Sequence, residues 1–236
     1  ERLADIESAF NQSVNDPDYA RKLYLIEHCI YGVDIQPIAT QISKLRFFIS
    51  LVVDQRPTDD ATHNFGIRPL PNLEAKFVSA NTLIPVEYDS CLVDSAPDVI
   101  KYKELLKELN HKIFLARRNI DKQNLKKQIK ETRKALADAI EETGFVSHGA
   151  AQQLADWDMF DQNTSSSFFD PEWMFGVKGG FDIVIGNPPY VQIPKKVYSA
   201  SFFPYSEGKD VGKQNLYKLF VEYSFNVLKE HGVSVL

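Results

Sequence analysis

One strand-and-turn segment constrains the fold and chemistry of this chain more than any other. The apolar run from Phe181 to Gly186 is typical of a buried β-strand, and the two prolines that follow it cannot extend that strand. The strand is therefore expected to end in a stiff loop, the tetrapeptide Asn187-Pro188-Pro189-Tyr190.

The residues of this tetrapeptide suit one kind of ligand. Asn187 carries an amide, and Pro188 and Pro189 have no N–H group, so their carbonyl oxygens only accept hydrogen bonds. Tyr190 adds a flat aromatic face. Two acceptors and a stacking ring fit a planar base with an exocyclic amino group. The alternative is an ordinary turn, since Asn-Pro and Pro-Pro dipeptides also mark turns.

Two further predicted strands also end in polar residues. The run Cys29–Ile35 contains Asp34 near its end, and a short strand around Phe77–Ala80 is followed by Asn81. In doubly wound folds, an acidic residue at the end of the second strand accepts hydrogen bonds from ribose hydroxyls. Asp34 is the candidate here. The alternatives are a helix N-terminal carboxylate for Asp34 and a turn residue for Asn81.

The tetrapeptide after a strand resembles the catalytic motif of S-adenosylmethionine-dependent amino-methyltransferases. These enzymes act on adenine N6, cytosine N4 or a protein glutamine amide. The segment from Tyr31 to Leu51 narrows the resemblance to the DNA adenine methyltransferase domain of type IIG restriction-modification enzymes and related phage-defence methyltransferases. The segment from Gln214 to Gly232 is a further match to the family. The resemblance covers most of the 236 residues.

The resemblance implies site-specific adenine-N6 methylation of double-stranded DNA through a flipped adenine, with S-adenosyl-L-methionine as cofactor. An endonuclease fused to the same polypeptide is compatible with it. Cytosine N4, RNA and protein glutamine remain alternative targets, and a non-catalytic interaction module is an alternative function. The implied catalytic residues are Asn187, Pro188, Pro189 and Tyr190.

The resemblance also implies a set of cofactor-binding residues and no metal. Asp34 would bind the ribose, and Ile35 would pack on the cofactor adenine. Asn81, with Thr82 beside it, stands where the family usually has Asp, so its hydrogen bond to the adenine amino group would be weaker.

The expected fold class is α/β, a partial Rossmann-like methyltransferase sheet with a helical insertion between the third and fourth strands. The predicted divisions are 1–96, an N-terminal part of the methyltransferase core with the second and third strands; 97–150, the insertion; and 151–236, the C-terminal part with the catalytic tetrapeptide and the fifth strand.

A helix from Ile38 to about Val53 should follow the second strand, with a core-facing stripe of Ile38, Ile42, Leu45, Phe48 and Ile49. Another helix should run from about Gln214 until Gly232 stops it, before a strand Val233–Leu236.

The family begins with a strand and a glycine-containing loop, yet no Gly-x-Gly precedes Asp34, and Arg2 to about Val14 is predicted to be helix. The expectation is a segment that lacks that first motif and the target recognition domain. In the family's sheet the first strand lies between the second and fourth. Weak stability, self-association or another element that fills the gap is therefore expected, together with little cofactor binding and an inactive isolated segment.

Composition bounds the cellular setting. No apolar run is long enough to span a membrane, no signal peptide is seen at Glu1, and Cys29 and Cys91 lack metal-ligand spacing. A cytoplasmic protein is expected.

The net charge of −5 argues against a nucleic-acid partner, but residues 101–134 carry twelve basic and four acidic side chains.

Apolar residues three and four apart predict that this basic stretch is one long helix, or a helical pair with a break near Asn119–Asn124. It is expected to lie along DNA phosphates or, as the favoured interpretation, to be a solvated face or a platform for a neighbouring domain.

The aromatic residues between Gln153 and Gly180 are expected in the core or at a domain interface, with Asp170 capping a short helix at Pro171. The loop Gln192–Gly212 is either an ordinary surface loop or a segment that closes over an extruded nucleotide.

Overall fold

The structure, a computed structural model, describes residues 17–67, 70–86, 93, 95–116, 118–194, 197–198, 201–206 and 213–236. The helix predicted over Arg2 to Val14 lies outside the described residues. The chain divides into two compact units, one formed by 1–79 with 88–165 and the other by 80–87 with 166–236.

The first unit contains two short parallel strands between helices. Helix α1 (Pro17–His28) precedes strand β1 (Gly32–Asp34), helix α2 (Pro37–Val53), a 3-10 helix (Ala61–Gly66) and strand β2 (Phe77–Ser79). Strand β1 pairs with β2 so that Gly32 is opposite Phe77 and Asp34 is opposite Ser79. A Cβ atom on Gly32 would lie 2.5 Å from the Phe77 ring, so this close packing requires glycine. The core contains Tyr19, Ile26, Leu51, Leu73, Phe77 and Phe114.

Helix α2 confirms the predicted helix but not its predicted buried face. Ile38, Ile42, Leu45 and Ile49 are each more than half exposed, so the core assignment of this stripe is wrong for these four residues. The face that packs inward carries Thr40, Lys44 and Leu51, with Phe47 and Phe48 beside the core cluster. Apolar residues lie on both sides of the helix, so periodicity alone does not identify the buried one.

The basic stretch forms the predicted helical pair. Helix α3 spans Pro97–Leu115, helix α4 spans Asn119–Glu142, and helix α5 (His148–Asp156) follows. The break falls between Leu115 and Asn119, earlier than predicted. Asp121 in the first turn of α4 binds the Arg118 guanidinium at 2.7 and 3.1 Å and suits the positive end of the helix dipole, which explains the earlier start.

The second unit contains one short helix, two strand pairs and one longer helix. Its elements are α6 (Pro171–Phe175), β3 (Phe181–Ile185), β4 (Gln192–Pro194), β5 (Lys213–Asn215), α7 (Leu216–Asn226) and β6 (Leu228–Val235). Strands β3 and β6 are parallel, and β4 and β5 are antiparallel. The predicted cap of α6 is confirmed, because the Asp170 carboxylate accepts a hydrogen bond from Trp173 N at 2.6 Å. Most aromatic residues predicted to be core are buried, among them Phe168, Phe169, Trp173 and Phe175.

Gly232 does not stop the preceding helix, contrary to the prediction. Helix α7 ends at Asn226, and Gly232 lies inside β6. The register with β3 shifts between Phe181 and Ile183, so residues 229–232 bulge out of the pairing. A Cβ atom on Gly232 would lie 2.8 Å from Leu228 Cδ2, 3.0 Å from the Lys229 carbonyl oxygen and 3.2 Å from the Asp182 carbonyl oxygen. Glycine therefore suits the crowded bulge of β6 and does not mark a helix end.

Strand β3 is not buried, which corrects another prediction. Ile183 is 63% exposed and Ile185 is 77% exposed. Their register partners Val233 and Val235, on the same face, are each 55% exposed. Alternation of apolar residues identified the strand correctly, but burial depends on what covers its faces, and that is not written in the strand's own sequence.

The class is mixed α/β, as predicted, with parallel strand pairs. Hydrogen bonding within the described part of the chain gives three two-stranded sheets, β1 with β2, β3 with β6, and β4 with β5. The single continuous sheet of the predicted Rossmann-like arrangement is not formed by these described strands. Among the described helices, none is both long and apolar enough to cross a membrane.

Candidate functional site

The tetrapeptide projects from the carboxyl end of β3. Gly186 N donates a hydrogen bond to Val235 O at 2.9 Å, which is the last link between the strand pair before the loop. Asn187 is exposed, and its amide makes no hydrogen bond to any described residue. Pro188 is buried and Tyr190 is 73% exposed. The loop is thus anchored at one proline while its amide and its aromatic ring face solvent.

A second aromatic ring supports Tyr190. The rings of Tyr190 and Tyr217 stack with their centroids 5.4 Å apart and an angle of 12° between their planes. Tyr217 lies in the first turn of α7, where its N–H donates to the Asn215 side chain at 3.1 Å. Leu216 N donates to Val191 O at 2.8 Å and joins the start of α7 to the residue after Tyr190.

Asp34 ends β1 with one carboxylate oxygen engaged. Its Oδ1 accepts a hydrogen bond from Gln36 N at 2.8 Å, just before α2 begins. The side chain is exposed, and Oδ2 has no hydrogen-bond partner within the described ranges. Ile35 beside it is 57% exposed. Ser79 Oγ donates to the carbonyl oxygens of Asp34 and Ile35 at 3.2 and 3.3 Å and holds the two strand ends together.

Asn81 follows β2 and forms a turn. Its Oδ1 accepts from Leu83 N at 3.2 Å, and its backbone carbonyl accepts from Ile84 N at 3.2 Å. Its N–H donates to Ser166 O at 3.0 Å. The turn interpretation of Asn81 therefore describes its local structure, and one lone pair of the amide oxygen remains for another donor. Thr82 is partly buried.

The predicted site residues fall into both units. Asn187, Pro188, Pro189 and Tyr190 share the second unit with Asn81 and Thr82, whereas Asp34 and Ile35 belong to the first. Each group lies at or just beyond the carboxyl end of a strand. In parallel α/β sheets, ligands bind beyond the carboxyl ends of the strands.

A comparison with known families decides the identity of the chain. The sequence model described as "Eco57I restriction-modification methylase" matches residues 28–236. The chain belongs to this family. The resemblance inferred from the tetrapeptide and the segment around Asp34 is thereby confirmed, and the family makes the protein a methyltransferase of the restriction-modification kind. Searches of curated proteins and of solved structures find no match.

Within this methylase domain, the structure adds two functional candidates that sequence reasoning did not single out. Tyr217 belongs to the predicted helix from about Gln214, and its stacking on Tyr190 is what distinguishes it. Glu222 is 8% exposed, and its carboxylate accepts from Tyr205 N at 3.0 Å and from Ser206 N at 2.9 Å. Neither partnership has a sequence signal, because each joins residues more than fifteen positions apart.

The contact of Glu222 bears on the loop Gln192–Gly212 that follows the tetrapeptide in this methylase. Residues 195–196, 199–200 and 207–212 lie outside the described part. Within the described part, Phe203 is 1% exposed and belongs to a core cluster with Leu83 and Leu219. A movement that carried the whole loop over a nucleotide would have to break these contacts and the hydrogen bonds to Glu222.

Proposed function

We propose that this protein transfers a methyl group from S-adenosylmethionine to the N6 amino group of adenine in double-stranded DNA. The observation that carries the proposal is the loop after β3, in which an exposed Asn187 amide free of described hydrogen bonds is followed by an exposed Tyr190 ring. This loop belongs to a restriction-modification methylase, so DNA is the substrate that its family favours.

The tetrapeptide would activate the amino group by accepting hydrogen bonds from its two N–H groups. The lone pair of adenine N6 is delocalised into the ring, so the free amine is a poor nucleophile. Hydrogen bonds to Asn187 Oδ1 and to the Pro188 carbonyl oxygen would draw the nitrogen toward tetrahedral geometry and localise that lone pair. Catalysis would then depend on positioning and preorganised dipoles rather than on a strong base.

The target adenine would have to leave the duplex. Its amino group is paired and stacked inside B-DNA, and enzymes that act on a base extrude it into a pocket. Tyr190 offers an exposed ring for the extruded base to stack on, and such stacking is worth about 1–3 kcal/mol per base.

The residues assigned to the cofactor fit the groups they would meet. Asp34 retains one free carboxylate oxygen for ribose hydroxyls, and Ile35 presents an exposed apolar side chain for the adenine ring. Asn81 retains one lone pair of its amide oxygen for the adenine amino group, with Thr82 next to it. When bound, S-adenosylmethionine supplies an electrophilic methyl group on a sulfonium.

The same pair of acceptors would also serve cytosine N4, an RNA base or a glutamine amide, so the target needs a direct test. We would incubate the full-length protein and isotopically labelled S-adenosylmethionine with unmethylated DNA, RNA and release-factor substrates, and then identify the labelled product. We expect N6-methyladenine from DNA. Label found only in cytosine, RNA or glutamine would assign a different substrate, and robust partner binding without any methylation would favour a non-catalytic module.

A further inference from the structure

We propose that Tyr217 is a positioning residue that holds the Tyr190 ring ready for base stacking. The inference rests on the proposed function, because Tyr190 is the ring on which the extruded adenine would stack. It extends that function to a residue on another element, since Tyr217 lies on α7 and not in the tetrapeptide.

The stack of the two rings covers one face of Tyr190 and leaves the other open. The centroid distance of 5.4 Å and the 12° angle between the planes describe an offset stack, which is a favourable arrangement for aromatic pairs. Tyr190 is nevertheless 73% exposed. A base that approached the open face would complete a three-layer stack with Tyr217 at the bottom.

The backbone around both rings restricts their relative movement. Strand β4 begins two residues after Tyr190, and β5 ends two residues before Tyr217. These strands pair, with Gln192 opposite Asn215. The hydrogen bond from Leu216 N to Val191 O, at 2.8 Å, lies between the two tyrosines along this connection.

The start of α7 fixes Tyr217 itself. The Asn215 side chain accepts a hydrogen bond from Tyr217 N at 3.1 Å and so caps the helix at the residue that carries the ring. A tyrosine on an otherwise unsupported loop would lose side-chain freedom when a base stacked on it. Because Tyr217 already limits the rotamers of Tyr190 in the folded protein, this loss of side-chain entropy does not have to occur when the base binds.

A double-mutant cycle on the full-length protein tests whether Tyr217 acts through Tyr190. Methyl incorporation into unmethylated DNA would be measured for Tyr217→Ala, Tyr190→Ala and the double variant. We expect Tyr217→Ala to lower kcat roughly tenfold, in line with the worth of an aromatic pair, and to change KM for S-adenosylmethionine less than about twofold. The double variant should be no less active than Tyr190→Ala alone.

Conservative and control variants separate positioning from folding. Tyr217→Phe keeps the ring and should restore most of the lost activity, whereas Tyr217→Leu keeps bulk without the ring and should behave like Tyr217→Ala. Tyr217→Leu takes the place of Tyr217→Ala if the latter fails to fold. Phe225 is an exposed aromatic residue of the same helix and is not one of the proposed site residues, so Phe225→Ala should leave methylation unchanged.

The experiment distinguishes a failure of the role proposed for Tyr217 from a failure of the proposed methyl transfer. An active wild-type protein in which the losses from Tyr217→Ala and Tyr190→Ala multiply in the double variant, or in which Tyr217→Ala has no effect, would overturn the role of Tyr217 alone. A wild-type protein that methylates no DNA would overturn the proposed function and this inference with it.

Discussion

The tetrapeptide has one buried proline between exposed residues, an arrangement that suits a rigid hydrogen-bond acceptor. Pro188 is buried, and Asn187 before it and Tyr190 after it are exposed. A residue that precedes proline is restricted to extended backbone conformations, so Pro188 limits Asn187 and Pro189 limits Pro188. The loop therefore presents its acceptors with little freedom left to lose on binding.

Lys76 gives a prediction about stability at the residue scale. Burial lowers the pKa of Lys76 to about 8, against the opposing charge of Glu27, and its ammonium group lies 4.2 Å from the centroid of the Tyr31 ring. The unfolded state therefore binds more protons between pH 8 and 10.5, and this residue makes the free energy of unfolding rise with pH across that window. Below pH 8 the full cost of the buried charge is present.

Lys76→Met should consequently stabilise the protein at pH 7 by on the order of 2 kcal/mol, after allowance for the lost contact with Tyr31. The advantage over the wild type should shrink as pH rises from 8 to 10.5. Denaturant unfolding of both proteins over this range checks the expectation, and parallel curves for the two proteins would contradict it.

At the scale of elements, the helical insertion leads to a prediction about contacts with DNA phosphates. Lys107 on α3 and Lys134 on α4 are exposed and have no carboxylate within ion-pair distance among the described residues, whereas Lys112 and Lys127 pair with Glu108 and Glu131. Unpaired lysines are the better candidates for phosphate contacts. The favoured interpretation, a solvated face or a platform, predicts that they make none.

The double variant Lys107→Ala/Lys134→Ala should therefore leave the salt dependence of DNA binding unchanged, as should the control Lys112→Ala/Lys127→Ala. Each phosphate contact that is lost would reduce the slope of log K against log salt by about 0.9. Equilibrium titrations of full-length protein with DNA at several salt concentrations measure that slope. A slope reduced only in the first variant would show that the insertion binds phosphates.

How well each element could be predicted depended on whether its signal is local. The α2 helix, the insertion helices, strand β3 and the Asp170 cap follow from periodicity and capping residues that lie next to one another in sequence. The buried face of α2, the exposure of Ile185 and the bulge before Gly232 depend on partners far along the chain. For the same reason the tetrapeptide could be recognised from sequence, but its support by Tyr217 could not.

At the scale of the whole molecule, the exposed face of the β3–β6 pair predicts self-association. Ile183, Ile185, Val233 and Val235 form an apolar face, each with more than half of its surface exposed. Contiguous exposed apolar surface favours association, and a net charge of −5 offers only modest repulsion. We expect the chain to associate increasingly as its concentration rises.

Ile185→Lys should reduce this association without lowering the free energy of unfolding, because the side chain it replaces is 77% exposed. Gln192→Lys adds the same charge at an exposed position of β4 and should leave association unchanged. Sedimentation velocity across a wide range of protein concentration measures both effects. A wild-type chain that stays monomeric throughout would show that this face does not drive association.

The most direct test of the account is methyl transfer by Asn187→Ala in the full-length protein. Removal of the Asn187 amide leaves the proposed cofactor residues Asp34, Ile35, Asn81 and Thr82 intact, so calorimetry should show S-adenosylmethionine binding close to that of the wild type. Formation of N6-methyladenine in DNA should be abolished. Methylation retained at the wild-type rate would contradict the claim that this loop grips the target amine.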